Sequence, residues 1–426
     1  MSGAFDLSLN AEHRSPINAS GLEKAQRRVG LFILALILIG YPVVGVLTTY
    51  LGGESRALSE PYRIFVFALS VFLLGSGIFL PLRGKLDLWL FAFLLLYFIR
   101  LLYDFNFNVI PGNKYALQYF SIAVLVPVLA VSIGRFPKTT DLSIGKMVLC
   151  LGTLVAALTL AAEMLGLAYN PWEDQGVLNV RLGFEALNPI TLGHTGVITM
   201  MCSLYLLGES GQSKAWRIIA SLALLLGSAV VVKAGSRGAL IALALCTIWF
   251  GTARPARFVF IIPLFLIALI FGVTQTDVVK HTIDTIFGGG WVYDGSSLTR
   301  LEVQASAWAD FKSAPLIGQH FASPFWDEGY HPHNLLIETA MALGVIGLIL
   351  FAIIFVRVVR SIFTNFNREH PLLTLLLIGQ TVNAALSAAL WGADALYALV
   401  AICLAGQYSS SSTDSRRRIN QTGLTD

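Results

Sequence analysis

The sequence predicts an all-α polytopic membrane protein, with about 12 transmembrane helices and one long external loop between helices 9 and 10. The chain is 56% hydrophobic and 13% charged, which is far more apolar than a soluble protein. Apolar runs of about 20 residues recur, the length that crosses a hydrocarbon core of about 30 Å. A polar segment from Thr276 to His333 interrupts them and holds four of the seven histidines.

The apolar runs define the predicted spans and the order of segments. The spans cover residues 29–50, 64–82, 86–103, 116–134, 143–168, 188–208, 216–234, 238–253, 258–275, 334–356, 371–390 and 394–408. The predicted organisation is a cytoplasmic tail (1–28), spans one to nine (29–275), the external catalytic loop (276–333), spans ten to twelve (334–408) and a second cytoplasmic tail (409–426).

The basic residues indicate the orientation. If the predicted spans cross the membrane in alternate directions, 19 of the 29 lysines and arginines lie on the side of the N-terminal tail. Cytoplasmic loops carry an excess of these residues, so both termini are predicted to be cytoplasmic and the long loop external.

Other features limit the kind of site. The four cysteines lie in apolar runs, as small buried hydrophobic residues do, and not in a disulfide or metal set. The net charge of +4 mainly reports topology. We therefore expect no nucleic-acid partner, and the chain has no phosphate-binding nucleotide loop.

The first candidate site is the turn Gly235-Ser236-Arg237-Gly238 between two spans. Ser236 is a suitable N-cap, Gly238 allows close backbone approach, and Arg237 can bind two phosphate oxygens. Lys233, one turn earlier, can face the same way. The alternative is an interfacial arginine that reaches lipid headgroups.

The second candidate is Arg181, followed by Asn188-Pro189, a helix N-terminal signature. The alternative is an ordinary loop arginine. We expect the predicted membrane topology to bring Arg181, Arg237 and Arg300 to one face of the bilayer.

The third candidate is His333-Asn334 at the start of the tenth span. A neutral imidazole can take a proton from a sugar hydroxyl. The alternative is that His333 only caps the helix or lies at the membrane interface. A metal site with His331, Asp327 and Glu328 is a further alternative, but the spacing matches no standard helix-borne zinc pattern, so we expect no metal.

Three polar residues inside spans, Arg100, Glu163 and His194, are predicted to be buried, paired structural groups. Glu163 is placed to pair with Lys233 or Arg237. In the long loop, the spacing of the apolar residues from Leu298 to Lys312 predicts a helix at the membrane surface.

Several of these segments resemble the O-antigen ligase and polymerase superfamily. They are Ser236-Arg237-Gly238, a large external loop with Arg300, Trp308 and Pro315-Leu316-Ile317-Gly318, and then His333-Asn334. The last pair is followed by nine residues, Gly344, two residues and Gly347, a pattern similar to that of O-antigen ligases. The resemblance covers roughly Arg181 to Phe351.

The resemblance implies an enzyme of the bacterial inner membrane that works without metal or nucleotide cofactor. It would transfer a glycan from undecaprenyl pyrophosphate to lipid A–core oligosaccharide at the periplasmic face, with inversion. Arg181 and Arg237, with Arg300 as a third, would hold the pyrophosphate, and His333 would activate the acceptor hydroxyl. Asn334 would cap the helix, and the nearby His331 leaves the choice of base open.

Two alternatives remain at this point. A polymerase of the same superfamily would use a second lipid-linked glycan as acceptor. A secondary transporter would have no catalytic role, but such proteins commonly show repeated halves and charges near the bilayer midplane. Here the charges are predicted at the outer face.

Overall fold

The structure is a computed structural model that describes residues 16–52, 55–79, 86–107, 113–134, 140–168, 181–253, 295–322 and 331–405. Within these ranges the chain is helical, and the β-structure is limited to an isolated bridge between Phe184 and Leu187. The predicted all-α class is therefore confirmed for the described part of the chain.

The helices follow the apolar runs of the sequence. They are α1 (Pro16–Ala35), α2 (Tyr41–Leu51), α3 (Ser55–Phe79), α4 (Leu88–Phe107), α5 (Asn113–Tyr119), α6 (Val126–Ile133), α7 (Thr140–Met164), α8 (Pro189–Gly208), α9 (Lys214–Ala234), α10 (Arg237–Ala253), α11 (Gly295–Ser313), α12 (Leu335–Ser361), α13 (Asn367–Glu369), α14 (Pro371–Leu386) and α15 (Asp394–Ala405). Short π-helical turns join α1 to α2, α5 to α6 and α12 to α13.

Eight helices in the described ranges are long and apolar enough to cross a membrane. They are Lys24–Leu51, Arg56–Ser76, Leu88–Phe107, Lys114–Ile133, Thr140–Met164, Pro189–Gly208, Lys214–Ala234 and Leu335–Glu369. Three shorter apolar helices correspond to predicted spans 8, 11 and 12, and predicted span 9 lies outside the described residues. The multi-pass membrane class follows, whereas the count of 12 stays a prediction.

Ion pairs join helix ends that the predicted membrane topology places on the same side of the bilayer. At one end of the bundle, which we call the tail end, Arg357 pairs with Asp87 at 2.6 Å and His370 Nδ1 lies 2.9 Å from Asp141 Oδ1. At the opposite end, the loop end, Lys233 Nζ lies 2.7 Å from Glu163 Oε1. Which end faces the cytoplasm stays a prediction.

Helix α8 is the most buried of the eight long apolar helices, with 83% of its apolar window buried. Its glycines allow close packing on both sides. A Cβ at Gly196 would lie 2.8 Å from the Gly227 carbonyl oxygen of α9, and a Cβ at Gly193 would lie 2.9 Å from the Cβ atoms of Ser236 and Ala239. The start of α10 is therefore fixed against the second turn of α8.

Helix α12 is broken at Gly344, whose φ of 62° and ψ of −157° lie in a region that is essentially restricted to glycine. The backbone of the preceding loop passes through the break. Val345 N donates to Pro315 O at 2.8 Å, and Gln319 N donates to Met341 O at 2.8 Å. These bonds satisfy backbone groups that the break removes from the helical pattern. The Pro315–Gly318 motif and Gly344 thus form one structural unit.

Arg100 of α4 makes hydrogen bonds to both parts of this unit. Its guanidinium donates to the carbonyl oxygens of Ala342, Ile317 and Gly318 at 2.9 Å each, and to Gln319 O at 3.1 Å. The fixed fork of five N–H donors suits such a cluster of carbonyls. The prediction that Arg100 is a buried, paired structural group is confirmed, since it also lies 3.4 Å from Asp104.

His194 is buried as predicted, but the structure contradicts its predicted pairing. It is 5% exposed in the second turn of α8, and its Nε2 is buried without a hydrogen-bond partner. The prediction that His194 is a buried, paired structural group is therefore wrong in its second part.

Replacing Gly344 by alanine is expected to destabilise the protein by about 3 kcal/mol or more. The new Cβ would lie 2.4 Å from the carbonyl carbon of Leu316, in a backbone conformation that alanine rarely adopts. Thermal unfolding of the detergent-purified protein measures this. Gly75→Ala is the control, because a Cβ at Gly75 in α3 has no atom within 4 Å. Equal melting temperatures for the two variants would contradict this role of the break.

Candidate functional site

Three helix N-termini meet the loop end of the bundle, each capped by the residue type that the sequence indicates. Asn188 Oδ1 accepts from Thr191 N at 2.8 Å at the start of α8. Ser236 Oγ accepts from Ala239 N at 3.4 Å at the start of α10. Asn334 Oδ1 accepts from two amides of α12 at 3.1 and 3.2 Å. The positive ends of three helix dipoles therefore face the same region and favour an anion there.

Three cationic residues belong to segments that lie next to the start of α10. Leu182 N donates to Lys233 O at 2.9 Å, so the segment that begins with Arg181 runs beside the end of α9. Arg237 is the first residue of α10 and is exposed. The structure thus brings Arg181, Lys233 and Arg237 into neighbouring positions, as the predicted membrane topology implies.

Lys233 already has an anionic partner. Its side chain pairs with Glu163 at 2.7 Å, and the two side chains are 42% and 30% exposed. The predicted pairing of Glu163 is confirmed. Because the carboxylate neutralises much of the charge of Lys233, the two arginines contribute most of the available positive charge.

His333 has an unusual backbone conformation. Its φ of 50° makes it the one non-glycine residue with positive φ in the described ranges. Such strain is kept where the surroundings require it, and it often marks functional sites. His333 Nδ1 lies 3.1 Å from Ser387 O. With the ring proton on Nδ1, this nitrogen donates to the carbonyl and Nε2 keeps a free lone pair that can accept a proton.

The imidazole of His331 lies beside that of His333, with ring centroids 4.2 Å apart. Burial is the main cause that lowers the pKa of His331 to about 3, with smaller contributions from His333, when it is protonated, and from Arg300. Burial also lowers the pKa of His333, although the Ser387 carbonyl opposes this and Arg300 adds to it. Both rings are therefore neutral at pH 7. A pKa of about 3 makes His331 a weak base at neutral pH, which favours His333.

Arg300 lies on α11, the helix that was predicted in the loop. One turn later, Gln304 Nε2 donates to Pro332 O at 3.3 Å, which ties α11 to the segment that holds the two histidines. Val303 and Ala307 are buried, whereas Leu301 and Trp308 remain 49% and 45% exposed. The helix is confirmed, with its exposed apolar side available for a membrane surface.

Ser387, after α14, joins the histidine to the arginine-bearing turn. Its carbonyl oxygen contacts His333, and a Cβ at Gly238 would lie 3.5 Å from its hydroxyl oxygen. His333 and Gly238, the residue that follows Arg237, are therefore both neighbours of Ser387. The sequence interpretation did not include Ser387, because it lies in a predicted span without a local signal.

Two further residues support this arrangement and were not predicted. Glu338 Oε1, fully buried in the first turn of α12, accepts from Leu390 N at 2.9 Å and holds the turn after Ser387. Trp391 lies edge-on to His331, with ring centroids 6.3 Å apart. Trp391 lies in the short gap between the last two predicted spans. Aromatic residues are enriched at the ends of membrane spans, so this position was the signal in the sequence that could have indicated it.

The described residues contain no group of three or more histidine, cysteine, aspartate or glutamate side chains that could hold a metal ion. Asp327 and Glu328, which belong to the alternative metal site, lie outside the described residues.

Residues 222–352 match a family model described as O-antigen ligase. The matched segment, 131 of the 426 residues, is similar to the O-antigen ligase family. The match confirms the resemblance of the sequence motifs to the O-antigen ligase and polymerase superfamily, and it supports an enzymatic role. No curated protein and no solved structure gives a significant match to the chain.

The segment that matches the family model holds most of the candidate site. It includes Lys233, Arg237, Arg300 and both histidines of the 331–333 segment. Arg181 and Ser387 lie on either side of it in the sequence and are brought to it by the fold.

Proposed function

We propose that the protein is an O-antigen ligase. It transfers a glycan from undecaprenyl pyrophosphate to a hydroxyl of lipid A–core oligosaccharide at the periplasmic face of the inner membrane. The reaction inverts the anomeric configuration and needs no metal. The observation that carries this proposal is a shared location. His333, with its strained backbone and neutral ring, lies at the loop end of the bundle together with the N-terminus of α10, where Arg237 is found.

The reaction is a single displacement. The acceptor hydroxyl oxygen attacks the anomeric carbon of the donor sugar, and its proton passes to His333 Nε2. The bond between the anomeric carbon and the pyrophosphate oxygen breaks, and undecaprenyl pyrophosphate leaves with that electron pair. One displacement inverts the anomeric centre and requires no covalent glycosyl-enzyme.

The arginines stabilise the leaving group. Negative charge grows on the pyrophosphate as the glycosidic bond breaks. Arg181 and Arg237, with Arg300 as a third cation, and the amides at the start of α10 offer donors for that charge before the reaction begins. Preorganised charge of this kind is commonly the largest contribution to catalysis.

Reconstituted transfer tests the proposal. Purified protein in vesicles should move a glycan from undecaprenyl pyrophosphate to purified lipid A–core, and excess chelator should leave the rate unchanged. Lack of transfer would overturn the ligase proposal. In cells, a deletion strain should accumulate unligated polymer on its lipid carrier. Accumulation of single repeat units would instead indicate a polymerase.

The pH dependence is expected to report the base. Because burial and Arg300 lower the pKa of His333, the acid limb of kcat/KM should lie below pH 6.5, the ordinary value of the group. Arg300→Gln removes a positive charge, so the pKa of His333 rises and the limb should move to higher pH. Lys312→Gln removes a charge from the other end of α11 and should leave the limb in place. An unmoved limb in Arg300→Gln would contradict the assignment.

A further inference from the structure

The segment that passes through the break in α12 carries two exposed apolar side chains, Leu316 and Ile317, which we call the apolar turn. They are 68% and 62% exposed. The neighbouring part of α12 also exposes apolar side chains, at Ile346 and Ile349. Because Ile346 N donates to Leu316 O at 3.3 Å, the apolar turn lies directly against this part of α12. The exposed apolar surface of a membrane-spanning helix therefore continues onto the turn.

The backbone around the apolar turn has its carbonyl groups satisfied by the protein. The carbonyl oxygens of Pro315 and Leu316 accept from the two amides that follow Gly344. The next three carbonyl oxygens in the chain accept from the guanidinium of Arg100. A loop in water can leave carbonyl groups to the solvent, whereas non-helical backbone at membrane depth must find its partners in the protein. This segment therefore meets the requirement for backbone in a bilayer.

The helices on both sides place the apolar turn below the loop end of the bundle. Arg100 lies seven residues before the end of α4, and Ala342, to which it also donates, lies seven residues after the start of α12. At a rise of 1.5 Å per residue, each helix continues for about 10 Å beyond this level. That last part of α4 still exposes the aromatic side chains of Tyr103 and Phe107. Exposed aromatic residues are typical of the membrane interface, so the apolar turn lies on the hydrocarbon side of it.

We propose that the apolar turn is inserted into the bilayer at the loop end, and that its partner is the acyl-chain layer of that leaflet. The sequence predicts only that α11 lies on the membrane surface. The inserted turn follows α11 and fastens the end of that helix, next to the exposed Trp308, to the bilayer. Arg100 then has a physical reason to lie within a membrane span, because it satisfies carbonyl groups that lipid cannot.

Spin labels on single cysteines test the insertion in the full chain, reconstituted into vesicles of phosphatidylethanolamine and phosphatidylglycerol. Leu316→Cys and Ile317→Cys are made separately in a Cys150→Ser background, because the other three cysteines are buried. Power-saturation electron paramagnetic resonance compares the collisions of each label with oxygen, which concentrates in lipid, and with a nickel chelate, which stays in water.

Two further labels in the same background are the matched controls. Ile349→Cys, on the exposed apolar surface of α12, reports lipid, and Ser210→Cys, in the exposed connection between α8 and α9, reports water. Both labels of the apolar turn should resemble that of Ile349→Cys, with oxygen accessibility above nickel accessibility. The melting temperature of each variant, compared with that of the Cys150→Ser protein, shows that the fold is kept.

Nickel accessibility as high as that of Ser210→Cys, in a folded variant, would place the apolar turn in water and overturn the inference. Protection from both reagents would also overturn it, because a second copy of the chain or another protein would then cover the turn. The measurement involves no glycan transfer, so its outcome is independent of the proposed function.

Discussion

Replacing His333 by asparagine is expected to lower kcat by about 10²- to 10⁴-fold, the usual contribution of a general base. Asparagine tolerates the positive φ of this position better than alanine does, so the variant removes the imidazole with little added strain. The KM for the lipid-linked donor should stay close to the wild-type value, because the arginines and helix N-termini remain. Steady-state transfer in vesicles measures both constants.

The neighbouring histidine provides the control. His331→Asn changes a buried ring of low pKa that is 4.2 Å from the ring of His333, so a smaller loss is expected. A larger loss in His331→Asn than in His333→Asn would move the base to His331. Near-normal turnover of His333→Asn would exclude it as the base.

Replacing Arg237 by lysine is expected to lower kcat/KM by about 10- to 100-fold, although the charge is kept. A guanidinium binds two phosphate oxygens at once, and an ammonium group cannot reproduce that geometry. Losing one hydrogen bond to a charged group has an effect of this size. The measurement is donor-dependent transfer at saturating acceptor.

Arg360→Lys is the matched control for this change. Arg360 is also exposed, but it lies in the last turn of α12, towards the tail end of the bundle. It should behave as the wild-type protein does. If Arg237→Lys also retains normal kcat/KM, Arg237 is an anchor for lipid headgroups and not a ligand of the donor.

Local signals in the sequence were sufficient for most of the described apolar helices and for three helix starts at the candidate site. Hydrophobic length placed the spans because backbone groups in lipid must be satisfied within helices. Ser236, Asn188 and Asn334 indicated three helix N-termini because each side chain can accept from amides of the first turn. The candidate anion site lies at these three helix N-termini. Much of the site could therefore be predicted from the same three residues.

Contacts between distant segments could not be predicted in this way. Ser387 acts partly through its carbonyl oxygen, which every residue has, and its partner is 54 residues away in the sequence. Gly344 was recognised only through its spacing in a family pattern. Its physical reason, a close approach by the backbone of Leu316, becomes visible only in three dimensions. His194 was misjudged because burial alone does not reveal whether a polar atom has found a partner.

The break in α12 has a consequence for how the enzyme responds to its lipid surroundings. A long helix accommodates a thicker or thinner bilayer by tilting. Here Val345 N and Ile346 N donate to Pro315 O and Leu316 O just after Gly344, and Arg100 donates to Ala342 O just before it, so both sides of the break are fastened to the loop. Any tilt of α12 in a thicker or thinner bilayer is therefore expected to begin beyond Ile346, so that the start of this helix, next to His333, keeps its place against the loop.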